Sequence, residues 1–268
     1  MPFREAEGLR FFQFESLADP NLDHAIMTRQ GGVSPAPWNS LNYGRKVGDD
    51  DGRVTENIAR GLGATGQALD RAFDVWQVHS ATVIRTDEPN LAGGHLKADA
   101  IITDRPDVTL MMRFADCVPI MVYDPYRRAA GLAHAGWLGT LRGVATELVQ
   151  SLQNEYGCRP EDLVAGIGPS IGPDHYPVGE DVVAQFEDSI GNPARDHLRS
   201  IGGAVHLDLW SANEAQLRSA GVRSIEISEI CTACNLQDWY SHRGENGSTG
   251  RFGAHLAIRS YSGPATTE

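Results

Sequence analysis

The chain has 268 residues, 41% hydrophobic and 22% charged, the balance of an ordinary globular protein able to bury a core. Its formal net charge of -12 argues against a nucleic-acid-binding surface, which needs a local excess of Lys and Arg, but leaves room for a basic pocket that takes a small anion. No apolar run reaches the ~18 residues of a membrane span, and MPFREAEGLRFFQFESL lacks the basic start and apolar core of a signal peptide, so a cytoplasmic protein is expected.

Residues 9–17 (LRFFQFESL) predict an opening strand, and a short strand runs to Thr28. The rest of HAIMTRQGGVSPAPWNSLNYG, residues 24–44, is rich in Gly, Pro, Ser and Asn and reads as a long ordered loop. Its Arg29, Ser40 and Asn42 are candidates to line a pocket, or polar residues that satisfy the loop's own backbone. Residues 51–63 predict a helix capped by Asp51 or Thr55, with Glu56 in the first turn. It runs into GLGATG, a G-x-G-x-x-G match at Gly61, Gly63 and Gly66. A dinucleotide fingerprint has its strand before and its helix after. Here the order is reversed, so the glycines read as a helix end and loop.

AFDVWQVHSATVIRT, residues 72–86, predicts a strand with a bulge or bend at His79. ADAIIT (98–103) predicts a short buried strand, flanked by Asp99 and Asp104. Residues 108–115, 119–123 and 129–135 are apolar runs of strand length, expected in a sheet covered on both faces. Gly136-Trp137 then opens a helix to about Glu155, with an apolar face of Leu141, Val144, Leu148 and Leu152. Beyond it come a strand at 163–167, a helix at 180–190, an extended piece at 206–209 and a helix from about 211 to 220. A strand at 224–228, a Gly-rich loop with His242, Arg243 and Arg251, and a strand at 254–258 follow, before a loose tail at 263–268. With no repeat, low-complexity tract or linker, one domain over residues 1–268 is expected.

His79, Cys117 and His134 each stand at the end of an apolar strand, where a side chain can leave the sheet for a cleft. Two imidazoles and a thiolate make a catalytic zinc set with the fourth position open, and their softness also permits copper. The same residues could equally be hydrogen-bonded within a core, or Cys117 could serve as a nucleophile with His134 as its base. Asp116 is a ligand orienter, a proton carrier or a turn cap. Arg243 and Arg251 are candidate anchors for phosphate or carboxylate, or solvated loop cations. The four cysteines are too few for a disulfide scaffold and are expected reduced. Cys158 reads as a helix-end residue; Cys231 and Cys234, a C-x-x-C without a second pair, read as two small buried thiols near a turn.

Seven segments in order resemble the YfiH or laccase-domain family, whose members carry both polyphenol oxidase and purine nucleoside phosphorylase names. They are TRQGGVSPAPWNSLNYG (28–44), QVHS (77–80), ADAIIT (98–103), MMRFADCVPIMVYDP (111–125), GLAHAGW (131–137), GIGPSIGP (166–173) and DWYSHRGENGSTGR (238–251). The resemblance covers residues 10–260 and implies a single α/β (α+β) domain of mixed β-sheets flanked by helices. It implies a zinc site of His79, Cys117 and His134, with Asp116 beside it, and substrate contacts from Arg29, Asn42, Arg243 and Arg251. The activity it implies is phosphorolysis of adenosine, guanosine, inosine and methylthioadenosine, with adenosine deamination. Purine nucleosides and phosphate are then the partners of a monomer or homodimer. A copper-dependent phenol oxidase and a peptidoglycan-precursor editing enzyme are the family's other associations. Two departures stand out: Ser80 replaces the usual Gly, and Asp174-His175 replaces two cysteines after Gly172-Pro173. The loss of those thiols removes ligands from a copper-rich site, and the expectation moves away from the oxidase.

Overall fold

Residues 2–91, 96–190 and 192–260 are described by the computed structural model. Their first part supplies β1 (Phe3–Ala6), β2 (Leu9–Phe12), β3 (Leu22–Met27), α1 (Asp51–Gly63), β4 (Ala72–Phe73), β5 (Val83–Arg85) and β6 (Ala100–Thr103). The central run supplies β7 (Thr109–Phe114), β8 (Val118–Asp124), β9 (Ala129–Ala135), α2 (Trp137–Leu141), α3 (Val144–Tyr156) and β10 (Val164–Ile167). Last come α4 (Glu180–Ile190), β11 (Leu198–Ile201), β12 (Ala204–Leu207), α5 (Leu209–Ser219), β13 (Ser224–Ile227) and β14 (Phe252–Ile258).

Two six-stranded mixed sheets form, ordered β1-β2-β3-β14-β7-β4 and β13-β10-β8-β9-β6-β5, with β11-β12 a separate ribbon. Strand alternation then fixes the layers, because successive side chains leave a strand on opposite faces. Leu110, Met112 and Phe114 of β7 share one apolar layer with Met121, Tyr123, Ala130 and Leu132 of β8 and β9. The intervening residues turn outward: Met111 to α1, and Ile120, Val122 and Ala133 to α3 and α5. The result is helix, sheet, sheet, helix, with Trp239, Tyr123 and Tyr240 among the rings between the sheets.

The structure thus corrects the expectation of one covered sheet. β7 lies in the first sheet and β8 with β9 in the second, and Ala115-Asp116-Cys117 carries the chain across. The predicted strand 72–86 is likewise two short pieces, β4 in the first sheet and β5 in the second. Asp99 accepts hydrogen bonds from the backbone N–H groups of Val78, His79 and Ser80, so these donors serve a carboxylate instead of a strand ladder. Both crossovers contain a non-glycine residue in the left-handed region, His79 at φ 58° and Asp116 at φ 80°.

Smaller corrections follow from capping. Asp50, not Asp51 or Thr55, caps α1 by accepting from the Arg53 N–H. The helix expected after Gly136 is broken at Gly143, whose φ of 80° suits glycine, into α2 and α3. The expected tail at 263–268 lies outside the described residues. Among the described residues no helix is long and apolar enough to cross a membrane.

The 28–44 loop is held by α1. Asn57 is fully buried; its amide donates to Ser34 Oγ and the Ser40 and Asn42 carbonyls and accepts from the Val33 N–H. Tyr43 inserts its ring between Gly61 of α1 and Gly253 of β14, where any side chain would collide with it.

Candidate metal centre and its cavity

The three donors meet at one end of the inter-sheet layer. His79 comes from the β4–β5 crossover, Cys117 from the β7–β8 crossover, and His134 from β9, on its inward face against Phe114 at 5.4 Å. Their ligand atoms all lie within 4.8 Å of one another. Cys117 Sγ and His79 Nε2 are 3.9 Å apart. An ion bonded tetrahedrally to nitrogen at ~2.0–2.1 Å and sulfur at ~2.3 Å sets such donors about 3.6 Å apart, so the set fits a zinc-sized ion. Gly136 closes the cradle, since a Cβ there would stand 2.8 Å from Cys117 Sγ and 2.9 Å from His79 Cδ2. His134 is buried, Cys117 half-buried and His79 exposed, so the set opens to one side.

A fourth residue, not singled out from the sequence, organises the set. Asp99 is fully buried, and its Oδ1 accepts from His134 Nδ1 at 2.9 Å and the His79 N–H at 2.9 Å. Its Oδ2 accepts from the Ser80 N–H at 2.6 Å, Ser80 Oγ at 2.8 Å and the Val78 N–H at 3.1 Å. Burial alone would raise this carboxyl; the bonds from His134 and Ser80 outweigh it and bring it down to about 2. The charge fixes the His134 proton on Nδ1 and leaves Nε2 to face Cys117. Burial also opposes charge on Cys117 and His134, yet the imidazoles draw the thiol down, and the thiolate with Asp99 draws His134 up. The group can therefore hold a soft divalent ion with an open position, or act as a thiolate–imidazolium pair backed by a carboxylate.

The open side faces a cavity of about 580 Å³, within the ~300–1,000 Å³ usual for small-molecule sites. His79, Cys117, His134, Asp116, Arg243 and Arg251 all line it. Arg45, Lys46 and Arg113 add to the positive charge, and Trp76 and Tyr176 supply ring faces. Lys46 Nζ sits 3.5 Å above the Trp76 ring, and Arg243 is 5.0 Å from the Tyr176 centroid. Arg113 is held by Asp74 at 2.6 Å, whereas Arg243 donates to the Pro177 carbonyl and Arg251 to those of Thr249 and Gly250. Among the described residues neither guanidinium is held in an ion pair, although the Cys117 and Asp116 charges act on Arg251, so both groups are equipped to meet an anion.

Asp116 orients none of the three ligands. Its carboxylate accepts from Thr232 Oγ1 at 2.7 Å and the Arg243 N–H at 2.6 Å, and its carbonyl from the Ile171 N–H. It gathers three loops at the cavity wall. Arg29 and Asn42 do not reach the cavity. Arg29 pins the 28–44 loop to the 236–245 segment through Glu245 at 2.9 Å, the Leu236 carbonyl and the Tyr240 ring. Asn42 Oδ1 accepts from the Gly44 and Arg251 N–H groups, so it positions Arg251 from behind. The signals for the unpredicted residues were charges out of place: Arg113 within the apolar strand LMMRF, and Asp99 at the entrance to ADAIIT.

A family model described as multi-copper polyphenol oxidoreductase laccase matches residues 23–259. The Deinococcus radiodurans protein named purine nucleoside phosphorylase is 38% identical over 254 residues, 94% of each chain. Purine nucleoside phosphorylase YlmD of Geobacillus stearothermophilus is 38% identical over 244 residues, 87% of this chain and 89% of that one. The solved YlmD structure superposes with a TM-score of 0.89 at 35% identity, covering 97% of this chain and 99% of that one. The Bacillus licheniformis protein YfiH superposes with a TM-score of 0.89 at 32% identity, covering 96% and 99%. This chain belongs to the laccase-like YfiH family.

Proposed function

We propose that this protein is a zinc-dependent purine nucleoside phosphorylase acting on adenosine, guanosine, inosine and methylthioadenosine, with adenosine deaminase activity. The observation that carries the reading is the soft three-donor set at the end of a cavity with Arg243 and Arg251 at its wall. In phosphorolysis a phosphate oxygen bonds to ribose C1′ as the C1′–N9 bond breaks; the bonding pair leaves with the purine, which takes up a proton. Arg243 and Arg251 would anchor the phosphate, and the Trp76 and Tyr176 faces would pack the purine. Zinc held by His79, Cys117 and His134 would supply Lewis acidity. In deamination, water replaces the C6 amine and Asp116, on the cavity wall, is the proton carrier.

Metal-analysed protein incubated with adenosine, with and without phosphate, tests this. Adenine and ribose 1-phosphate should appear only with phosphate, and inosine, from the deaminase, without it. Equal rates for wild type and His79→Ala would end the zinc-site reading. Stoichiometric copper with turnover of phenols would instead favour the oxidase named in the family description. The Cys117–His134–Asp99 alignment favours a second reading, a metal-free thiol hydrolase, which alkylation should silence and chelators spare.

A further inference from the structure

A second group of soft donors lies outside the cavity lining. His175, Cys231 and Cys234 place one ligand atom each within 4.8 Å of one another. His175 Nδ1 is 3.8 Å from Cys231 Sγ and 3.5 Å from Cys234 Sγ. Tetrahedral zinc would separate nitrogen and sulfur by about 3.6 Å, from its usual bond lengths. Both separations fall within 0.2 Å of that figure. The C-x-x-C thus does not bury two inert thiols: Cys231 is buried, but Cys234 and His175 are exposed.

The sulfur of Cys231 is fixed by the backbone: the Gly172 N–H donates to Cys231 Sγ at 3.2 Å. Only glycine admits that approach comfortably, since a Cβ at 172 would stand 3.1 Å from Cys231 Cβ. Two turns carry the donors, Pro173–His175 and the loop 231–234, and backbone bonds between Ser170 and both Ile230 and Thr232 lock them together. The loop's Thr232 is the residue whose hydroxyl holds Asp116.

We propose that His175, Cys231 and Cys234 bind a second zinc ion, with water completing the shell. Its role is structural: it clamps the two turns that back Asp116 at the cavity wall. This assignment is independent of the reaction proposed for the cavity.

Reduced, metal-free protein titrated with cobalt as a zinc surrogate tests it, read by stoichiometry and by thiolate-to-cobalt charge-transfer absorption. Wild type should take two equivalents. Cys234→Ser and His175→Ala should each take one, and neither opens a core cavity because both residues are exposed. Cys117→Ser should also take one, and its remaining ion should show the stronger absorption of two thiolates. A Cys117→Ser protein that binds no cobalt, or a Cys234→Ser protein that binds as much as wild type, overturns the proposal, whereas wild type and Cys117→Ser that both bind one equivalent would count against the cavity site alone. So does a Cys231–Cys234 disulfide that forms equally fast with and without zinc.

Discussion

Replacement of Asp99 by Asn tests how the cavity site is organised without touching a ligand. The carboxylate receives donors on both oxygens, two at Oδ1 and three at Oδ2. An amide has a single acceptor oxygen, and the Oδ2 side, with three donors, is where it should lie. Its NH2 then confronts the His79 N–H and His134 Nδ1. His134 can answer only by moving its proton to Nε2, which removes the lone pair a metal needs. Hydrogen bonds to a charged group contribute ~1.5–3 kcal/mol each. With two of them disrupted, a destabilisation on the order of 3 kcal/mol is expected, or about 6–12 °C in Tm for a chain of this size. Zinc affinity should fall about 10–100-fold, as for other ligand-supporting carboxylates. The pH dependence carries the sign. Asp99 titrates at about 2 when folded, against ~3.9 unfolded. Its contribution, about 3 kcal/mol, is therefore present above pH ~4 and lost as pH falls toward ~2. Acid unfolding of metal-free protein, followed by circular dichroism, should show that limb in wild type and a flatter one in Asp99→Asn. An Asp99→Asn protein with unchanged zinc affinity and an unchanged acid limb would refute the reasoning.

Gly136→Ala should weaken zinc binding about tenfold while all three ligands remain, because the new methyl displaces Cys117 Sγ and His79; competition with a chromophoric chelator reads it. Arg251→Ala should raise the phosphate KM about 10–100-fold, the loss of ~1.5–3 kcal/mol of charged hydrogen bonding, with metal content unchanged by elemental analysis. Gly253→Ala should cost ~1–3 kcal/mol by overpacking the Tyr43 ring, lowering Tm in a thermal melt without altering zinc stoichiometry.

The sequence was most legible where burial and periodicity agree. The limits of β9 and α4 match expectation residue for residue, since the apolar run Ala129–Ala135 and the patterned Glu180–Ile190 both stop at turn-forming residues. The layer arrangement was not legible. Continuous apolar runs such as β7 and β8 show that both faces are covered, but not whether by helices or by a second sheet. The reversal at Asp116 carries no signal stronger than a polar residue between two strands. At His79 a bend was legible but the crossover between sheets was not, because Val, Trp and Ile around it imitate a strand while Asp99, twenty positions on, takes up the backbone donors.

That blind spot coincides with the site. A strand that ends within its own sheet hands its chain to a neighbouring strand, and its last side chains stay in the ladder's plane of contacts. A chain that crosses between sheets must leave both ladders, so its backbone polar groups need other partners. Here a buried carboxylate meets that need for residues 78–80 and, through its other lone pair, holds His134 in the tautomer a metal requires. One charge therefore both closes the crossover and presets the ligand. Asp116 serves the other crossover differently: its carbonyl accepts from the Ile171 N–H, and its carboxylate accepts from Thr232 Oγ1 and the Arg243 N–H, tying the chain that has left β7 to neighbouring loops. Cys117 follows it immediately, so the loop that bears the thiol is set by the same bonds that bring Arg243 to the cavity wall.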